Sequence, residues 1–354
     1  MKGLILSGGR GTRLRPLTYT SAKQLIPVAN RPILFYGIEA IRDSGIREIG
    51  IVVGDTHAEI KAAVGDGRRF GVKVTYIHQP APLGLAHAVL TAEKYLAGNS
   101  FVMYLGDNLL KSGIKTLVDE FRRKKPHAMI LLAHVPNPSQ FGVAELKDGR
   151  VKRLTEKPKK PKTDLALVGV YLFDRNVFQA AKAIRPSLRG ELEITDAIQW
   201  LVDHDFRVLP QVVDGWWKDT GRVEDILEAN RMVLDTLETR IEGRVDQASR
   251  VEFKVVIEKG AQIRRSVIRG PAIIGENAKV TDSYIGPFTS IDRGCVVERA
   301  EIEHSILLAG STLCNIPQRI EDSLVGRNVV IARGSHRPAV LRFVVGDASQ
   351  VELT

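Results

Sequence analysis

Cysteine is scarce in this chain of 354 residues, where Cys295 and Cys314 are the only two. Two thiols build no disulfide framework, so stability must come from packed cores, and a reducing cytoplasm is the expected setting. No apolar run approaches the roughly 18 residues that a membrane-spanning helix needs. The apolar residues at the start are broken by glycine too soon for the core of a secretion signal. No membrane attachment is expected. Histidines 57, 78, 87, 127, 134, 204, 304 and 336 show no metal-like spacing with one another and read as structural or surface side chains. The net charge is +10, yet the basic residues form no aromatic-interleaved patch and match no nucleic-acid-binding motif. The positive balance therefore suits small anionic substrates, with no nucleic acid as partner.

Two familiar phosphate-binding patterns are missing as well. A dinucleotide fingerprint would require a third glycine where Leu14 stands, and no Gly-Lys-Ser/Thr follows to make a Walker loop. What is present is an apolar run that breaks into Leu6-Ser7-Gly8-Gly9-Arg10-Gly11-Thr12-Arg13, with Lys23 ten residues beyond. Glycines let backbone N–H groups approach a ligand and tolerate the geometry of anion-binding nests. Arg13 as a planar fork and Lys23 as a point charge suit phosphate oxygens. The ligand this arrangement predicts is a nucleotide polyphosphate.

The chain divides by pattern. Up to about residue 235, apolar runs alternate with helical periodicity. Gly3–Leu6, Ile49–Val53, Val72–Ile77, Phe101–Leu105 and Met129–Ala133 read as buried strands. Ile33–Ser44, Ala58–Val64 (capped by Asp55 or Thr56), Leu85–Leu96 and Ile114–Lys124 read as helices. This alternation predicts an α/β domain with a Rossmann-like mixed, mostly parallel sheet and helices on both faces. Ligands then bind beyond the carboxyl ends of the strands, where the glycine turn and Leu105-Gly106-Asp107-Asn108 both fall.

From about residue 250 a different order begins. Ile257, Ile274, Ile291, Leu308 and Val325 recur at 17-residue intervals; so do Ile263, Val280, Val297, Cys314 and Ile331, and so do Ile268, Ile285 and Ile302. Three apolar anchors per coil with small residues between them predict a triangular parallel β-helix of hexapeptide-like repeats. The domains expected are 1–238, a linker at 239–250, and a β-helix at 251–354.

The glycine turn, with Pro16, Lys23 and Pro27-Val28, resembles the signature of the sugar-1-phosphate nucleotidylyltransferases. The resemblance extends over the whole chain to their long-form glucose-1-phosphate thymidylyltransferases, through Lys23–Val28, Leu105–Asn108, Glu156-Lys157-Pro158, Arg189–Asp196 and Trp217–Gly221. It implies the left-handed form of the β-helix. It also implies Mg²⁺-dependent transfer of a thymidylyl group from dTTP to glucose 1-phosphate, in the supply of dTDP-deoxysugars for antibiotics. The nucleophile, a phosphate monoester with a second pKa of about 6, is already an anion. No general base is then required, and the site must instead position two repelling anions and relieve charge at phosphorus.

The resemblance assigns roles residue by residue. Arg13, Lys23, Asp107, Lys157 and Asp219 form the catalytic set. Asp107 and Asp219 would share the Mg²⁺, although a lone aspartate at a strand end is by itself more often a turn or cap residue. Leu6, Gly8, Gly9, Gly11, Thr12 and Arg13 line the nucleotide, with Gln79 and Gly84 reading the base. A carboxamide can pair with a pyrimidine imide edge. Thymine and uracil differ there by one methyl, worth about 0.8 kcal/mol if buried, so dTTP and UTP are poorly separated. Lys157 would meet the sugar phosphate, and Glu156 a sugar hydroxyl. Gly142, Leu167, Val168 and Tyr171 would complete the sugar pocket. Glu191 would join them or cap the helix that follows.

Phe141 departs from shorter relatives, which often carry Tyr there, and the missing hydroxyl weakens strict glucose preference. The β-helix is a second departure, so the short enzymes' tetramer is not carried over; a homo-oligomer is expected, with the β-helix as a candidate interface. Rival readings are a uridylyltransferase making UDP-glucose and a bifunctional enzyme whose β-helix acylates an amino sugar with His304 as base. A catalytically silent sensing subunit is the third, and the combined presence of Arg13, Lys23, Asp107, Lys157 and Asp219 argues against it.

Overall fold

Side chains alternate across a strand, so a buried strand feeds a core on each face. In the computed structural model, which describes residues 1–9, 11–334 and 343–352, Leu4 and Leu6 enter one core while Ile5 between them enters the other. Phe101 and Met103 join the first, Val102 and Tyr104 the second. Helices cover both faces. Leu85–Thr91, Asn176–Ala183 and Ile194–Asp203 pack on the first, Ile33–Asp43, His57–Val64 and Lys115–Lys124 on the second.

Among the described residues the sheet has nine strands. Its main path runs Arg150–Glu156, Gly142–Lys147, Leu165–Phe173, Phe101–Leu105, Lys2–Ser7, Glu48–Val53, Lys73–His78. Ala128–His134 branches from Leu165–Phe173 and carries Val208–Val212. The Lys2–Ser7 strand lies parallel to both its neighbours, whereas Leu165–Phe173 is antiparallel to its own. The sheet is mixed, as expected. Lys2–Ser7 and Phe101–Leu105 thus end side by side and launch the two loops in question, with Gly106 N donating to Leu6 O at 3.0 Å.

Three local expectations need correction. The strand read at Val72–Ile77 runs Lys73–His78 and is only half covered, because it is the sheet edge and pairs with Glu48–Val53 alone. Leu85–Leu96 is two helices, Leu85–Thr91 and Glu93–Leu96, parted at Ala92. The His57–Val64 helix follows Thr56, whose side chain makes no capping bond.

The chain folds as two compact units. The first comprises Met1–Arg10, Ser21–Leu25 and Ile33–Asp219; the second comprises Gly11–Thr20, Ile26–Pro32 and Thr220–Thr354. Within the second unit three parallel stacks wind along the chain. One holds Val255–Ile257, Ala272–Ile274 and Thr289–Ile291, the next Gln262–Arg264, Lys279–Thr281 and Val296–Glu298, the third Val267–Arg269, Tyr284–Ile285 and Glu301–Ile302. Their inward side chains form one core. These stacks accord with the left-handed parallel β-helix expected.

The coil period is not constant. Ile291 stacks on Leu307 and Val297 on Leu313, so the anchors are these two leucines and not Leu308 and Cys314. Ile302 then stacks on Ile320, after a longer corner that contains Pro317. Residues 239–250, expected as a linker, contribute first strands to the stacks: Ile241 pairs with Ile257 and Val245 with Ile263. Their spacing is off the 17-residue step, which hid them. Of the expected β-helix, residues 335–342, with His336 among them, and 353–354 lie outside the described residues.

A buried amide ties the start of this unit together. Asn230, on the helix Val223–Leu234, accepts from Ala29 N at 2.8 Å and Ser290 Oγ at 2.7 Å, and donates to Phe288 O at 3.1 Å.

Candidate active site

In the first unit Leu6, Gly8, Gly9, Lys23 and Asp107 meet at the carboxyl ends of two adjacent parallel strands. Leu6 and Ser7 are buried at the end of their strand, and Gly8 and Gly9 emerge from it. A Cβ on Gly9 would lie 3.2 Å from Lys23 Cε, and one on Gly106 only 2.7 Å from Ser7 Oγ. These close approaches are what the glycines permit.

Lys23 Nζ forms an ion pair with Asp107 Oδ2, and Asn108 Nδ2 donates to Asp107 Oδ1 at 3.1 Å. Burial alone would raise the Asp107 carboxyl, but the Lys23 charge and the hydrogen bonds from Lys23 and Asn108 outweigh it and hold the group below the usual carboxylate range. Asp107 is therefore an anion at working pH. Asp219 lies directly opposite Asn108 in the antiparallel pair Trp217–Asp219 with Asn108–Leu110. Two carboxylates, with no thiol or imidazole, suit a hard divalent cation that completes its shell with phosphate oxygens and water. Among the described residues no cluster of three or more His, Cys, Asp or Glu side chains forms a ready-made cage.

On the sugar side, Gly142 stands opposite Glu156 in the strand register. A Cβ there would meet Leu167 Cδ1 and Thr195 Oγ1 at 2.8 Å and Glu156 Oε2 at 3.1 Å. Thr195 Oγ1 donates to Glu156 Oε2 at 2.6 Å, and Arg189 Nη2 donates to Glu156 Oε1 at 3.2 Å. Lys157 has φ 41° and is anchored through its N–H to Phe141 O at 3.0 Å. Its ammonium lies 3.8 Å from Glu156 Oε1 with the side chain 45% exposed. Register is broken between Leu167 and Tyr171, around the buried Val168, and Gly169 N there donates to Asn108 Oδ1 at 3.2 Å. Burial, with the charges of Glu156 and Asp219 nearby, raises the Tyr171 phenol, so it remains a neutral hydroxyl. Phe141 packs edge-on against Trp217 at 5.4 Å between centroids.

Gln79 is buried beside Gly8 and donates weakly to Gly84 O at 3.4 Å. Glu191 does not cap a helix: Ile194–Asp203 starts from Glu193 without a side-chain cap, and Glu191 lies 3.8 Å from Arg189. Arg189, Thr195 and Asn108 are organisers that motif reading quoted but gave no role. Only their contacts reveal them. Gly11, Thr12 and Arg13 belong to the second unit, where Gly11 takes φ 64° and Gly221 leaves room for the Arg13 guanidinium, 2.8 Å from where a Cβ would stand. His304 faces Phe288 edge-on at 4.9 Å and lies 3.7 Å from Asp322 Oδ1.

A family profile described as nucleotidyl transferase matches residues 2–236. The chain belongs to that family. It is 56% identical over 355 residues to a glucose-1-phosphate thymidylyltransferase of Streptomyces antibioticus, covering 100% of this chain and 99% of that one. A protein of the same name from Streptomyces griseus is 54% identical, with 100% of both chains covered. A solved structure from Bacillus anthracis, provisionally named a glucose-1-phosphate thymidylyltransferase and holding sucrose, superposes with a TM-score of 0.64 at 36% identity, covering 68% of this chain and 98% of its own. Within the family the chain falls among the glucose-1-phosphate thymidylyltransferases. The family is generally dependent on a divalent metal. Among the described residues no helix is long and apolar enough to cross a membrane.

Proposed function

We propose that this chain transfers the thymidylyl group of dTTP to glucose 1-phosphate, giving dTDP-glucose and pyrophosphate. The observation that carries the reading is the meeting of Gly9, Lys23 and Asp107 where two parallel strands end, in a chain alike over its whole length to thymidylyltransferases.

An oxygen of the sugar phosphate attacks the α-phosphorus of dTTP. The new P–O bond forms as the bond to the bridging oxygen of the β-phosphate breaks, and that oxygen leaves with the pyrophosphate. The attacking oxygen is already an anion, so the protein's work is to hold two anions in line. Lys23 offsets triphosphate charge from beneath the glycine turn, and the sequence motif assigns Arg13 to triphosphate oxygens too. Lys157, half exposed on its strained turn, holds the sugar phosphate. Glu156, oriented by Thr195 and Arg189, accepts from a sugar hydroxyl, with Glu191 beyond Arg189 at its border. Backbone at Gly142, Leu167 and Val168 and the neutral Tyr171 complete the pocket. Gln79, Gly84 and the Leu6–Gly8 backbone take the base. Mg²⁺ on Asp107 and Asp219 would polarise the α-phosphate and neutralise charge developing there.

The test is pyrophosphate release from glucose 1-phosphate, Mg²⁺ and each nucleoside triphosphate in turn, with the sugar nucleotide identified by mass. Preference for dTTP is expected. Better use of UTP would make this a uridylyltransferase, and no release with any nucleotide would overturn the reading.

A further inference from the structure

Gln79 follows the edge strand Lys73–His78, and its backbone N–H is tied to Val53 O at 2.8 Å. Its amide nitrogen has two neighbours, Gly84 O at 3.4 Å and His87 Nδ1 at 2.9 Å. A backbone carbonyl only accepts, so the nitrogen end of the amide belongs on that side. His87 Nδ1 must then accept too, which leaves the ring proton on Nε2. Both amide hydrogens are thereby used inside the protein. Oε1 turns the other way, 3.1 Å from where a Cβ on Gly8 would stand, and among the described residues no group donates to it.

The frame around this amide is fixed. Gly84 has φ +103°, and a Cβ there would lie 2.4 Å from Leu192 O, so backbone packing holds the carbonyl in place. The flanking Leu83 O and Ala86 N are both bonded to Leu192, at 2.8 and 3.0 Å.

We propose that His87 is a specificity-determining positioning residue: by accepting from Gln79 Nε2 it locks the carboxamide so that only an acceptor, Oε1, faces the base. The site then takes a base that presents an N–H. Thymine and uracil carry one at N3, whereas cytosine has a lone pair at the same ring position. Cytosine sets acceptor against acceptor. Turning Gln79 over would set Oε1 against the Gly84 carbonyl and would require His87 to carry its ring proton on Nδ1 instead of Nε2. In this role His87 acts through Gln79 and not on the base or phosphate directly. The inference rests on the proposed placement of the base beside Gln79.

The experiment compares kcat/KM for dTTP, UTP and dCTP in the wild type, His87→Leu and His87→Asn. His87→Leu frees the amide to turn, and the dTTP-to-dCTP ratio should fall about tenfold or more, the scale of one mispaired buried hydrogen bond. The dTTP-to-UTP ratio should stay put, since both bases share the imide edge. His87→Asn, which retains an acceptor, should restore part of the lost ratio. An unchanged dTTP-to-dCTP ratio in His87→Leu, even with all rates lowered together, overturns the inference and leaves the proposed function standing. A wild type that uses neither dTTP nor UTP overturns the proposed function, and this inference with it.

Discussion

The Trp217 indole N–H donates to Asn108 Oδ1 at 2.6 Å. The same oxygen accepts from Gly169 N at 3.2 Å, so the Asn108 amide nitrogen is aimed at Asp107 Oδ1. With Asp219 opposite Asn108 across the two short strands, one buried asparagine orders the backbone on which both carboxylates stand. The backbone positions of both residues are therefore set by this network rather than by flexible side chains.

Asp107→Asn and Asp219→Asn should each lower turnover while the fold persists. Losing one preorganised electrostatic contact commonly costs about 3 kcal/mol, a hundredfold or more in rate. Steady-state rates over a Mg²⁺ titration, with thermal melting as the control for folding, make the check. Wild-type turnover in either variant would remove that carboxylate from the metal assignment.

Lys157 and Thr195 act on the other substrate. Lys157→Ala removes a half-exposed ammonium, and Thr195→Val removes the hydroxyl that donates to Glu156 Oε2 at 2.6 Å. Both should raise the KM for glucose 1-phosphate, about tenfold or more for Lys157→Ala, since hydrogen bonds to charged groups are worth about 1.5–3 kcal/mol. The KM for dTTP should barely move. Equal effects on the two substrates would take these residues out of the sugar-phosphate pocket.

Much of this molecule could be read from the sequence because its signals are local. Strand runs such as Phe101–Leu105 and the two loops that follow the central strands are set by hydrophobicity and glycine. The 17-residue anchors announce a β-helix for the same reason. What escaped depends on distant partners. Arg189 gains meaning only beside Glu156 and Glu193, Asn230 only beside Ala29 and Ser290, and His87 only beside Gln79. The β-helix register slipped where the corners change length, which no fixed period can follow.

That slip makes a direct prediction. Leu313 is fully buried in the β-helix core, whereas Cys314, the residue the periodic reading would choose, is only partly covered. Leu313→Ala should cost about 2–5 kcal/mol in unfolding free energy, the range for a core leucine, and Cys314→Ala far less. Denaturant midpoints for the two variants decide it. The reverse order would restore the constant 17-residue step.

Cys295 offers a test of the same core by pH. Its side chain is fully buried and its thiol lies 3.2 Å from Leu308 O. Burial pushes the thiol up from an ordinary 9.0 to about 11. The folded chain therefore keeps its proton at pH values where the unfolded chain has lost it. The contribution is complete below pH 9 and disappears as pH rises from about 9 to about 11. A shift of about two units bounds the loss at about 3 kcal/mol. Melting curves from pH 8 to 11 should show a steeper alkaline decline in the wild type than in Cys295→Ala, whose small cavity lowers the curve at every pH without tilting it. Parallel declines would mean that the thiol ionises in the folded chain as readily as in the unfolded one, and that water reaches this layer of the β-helix.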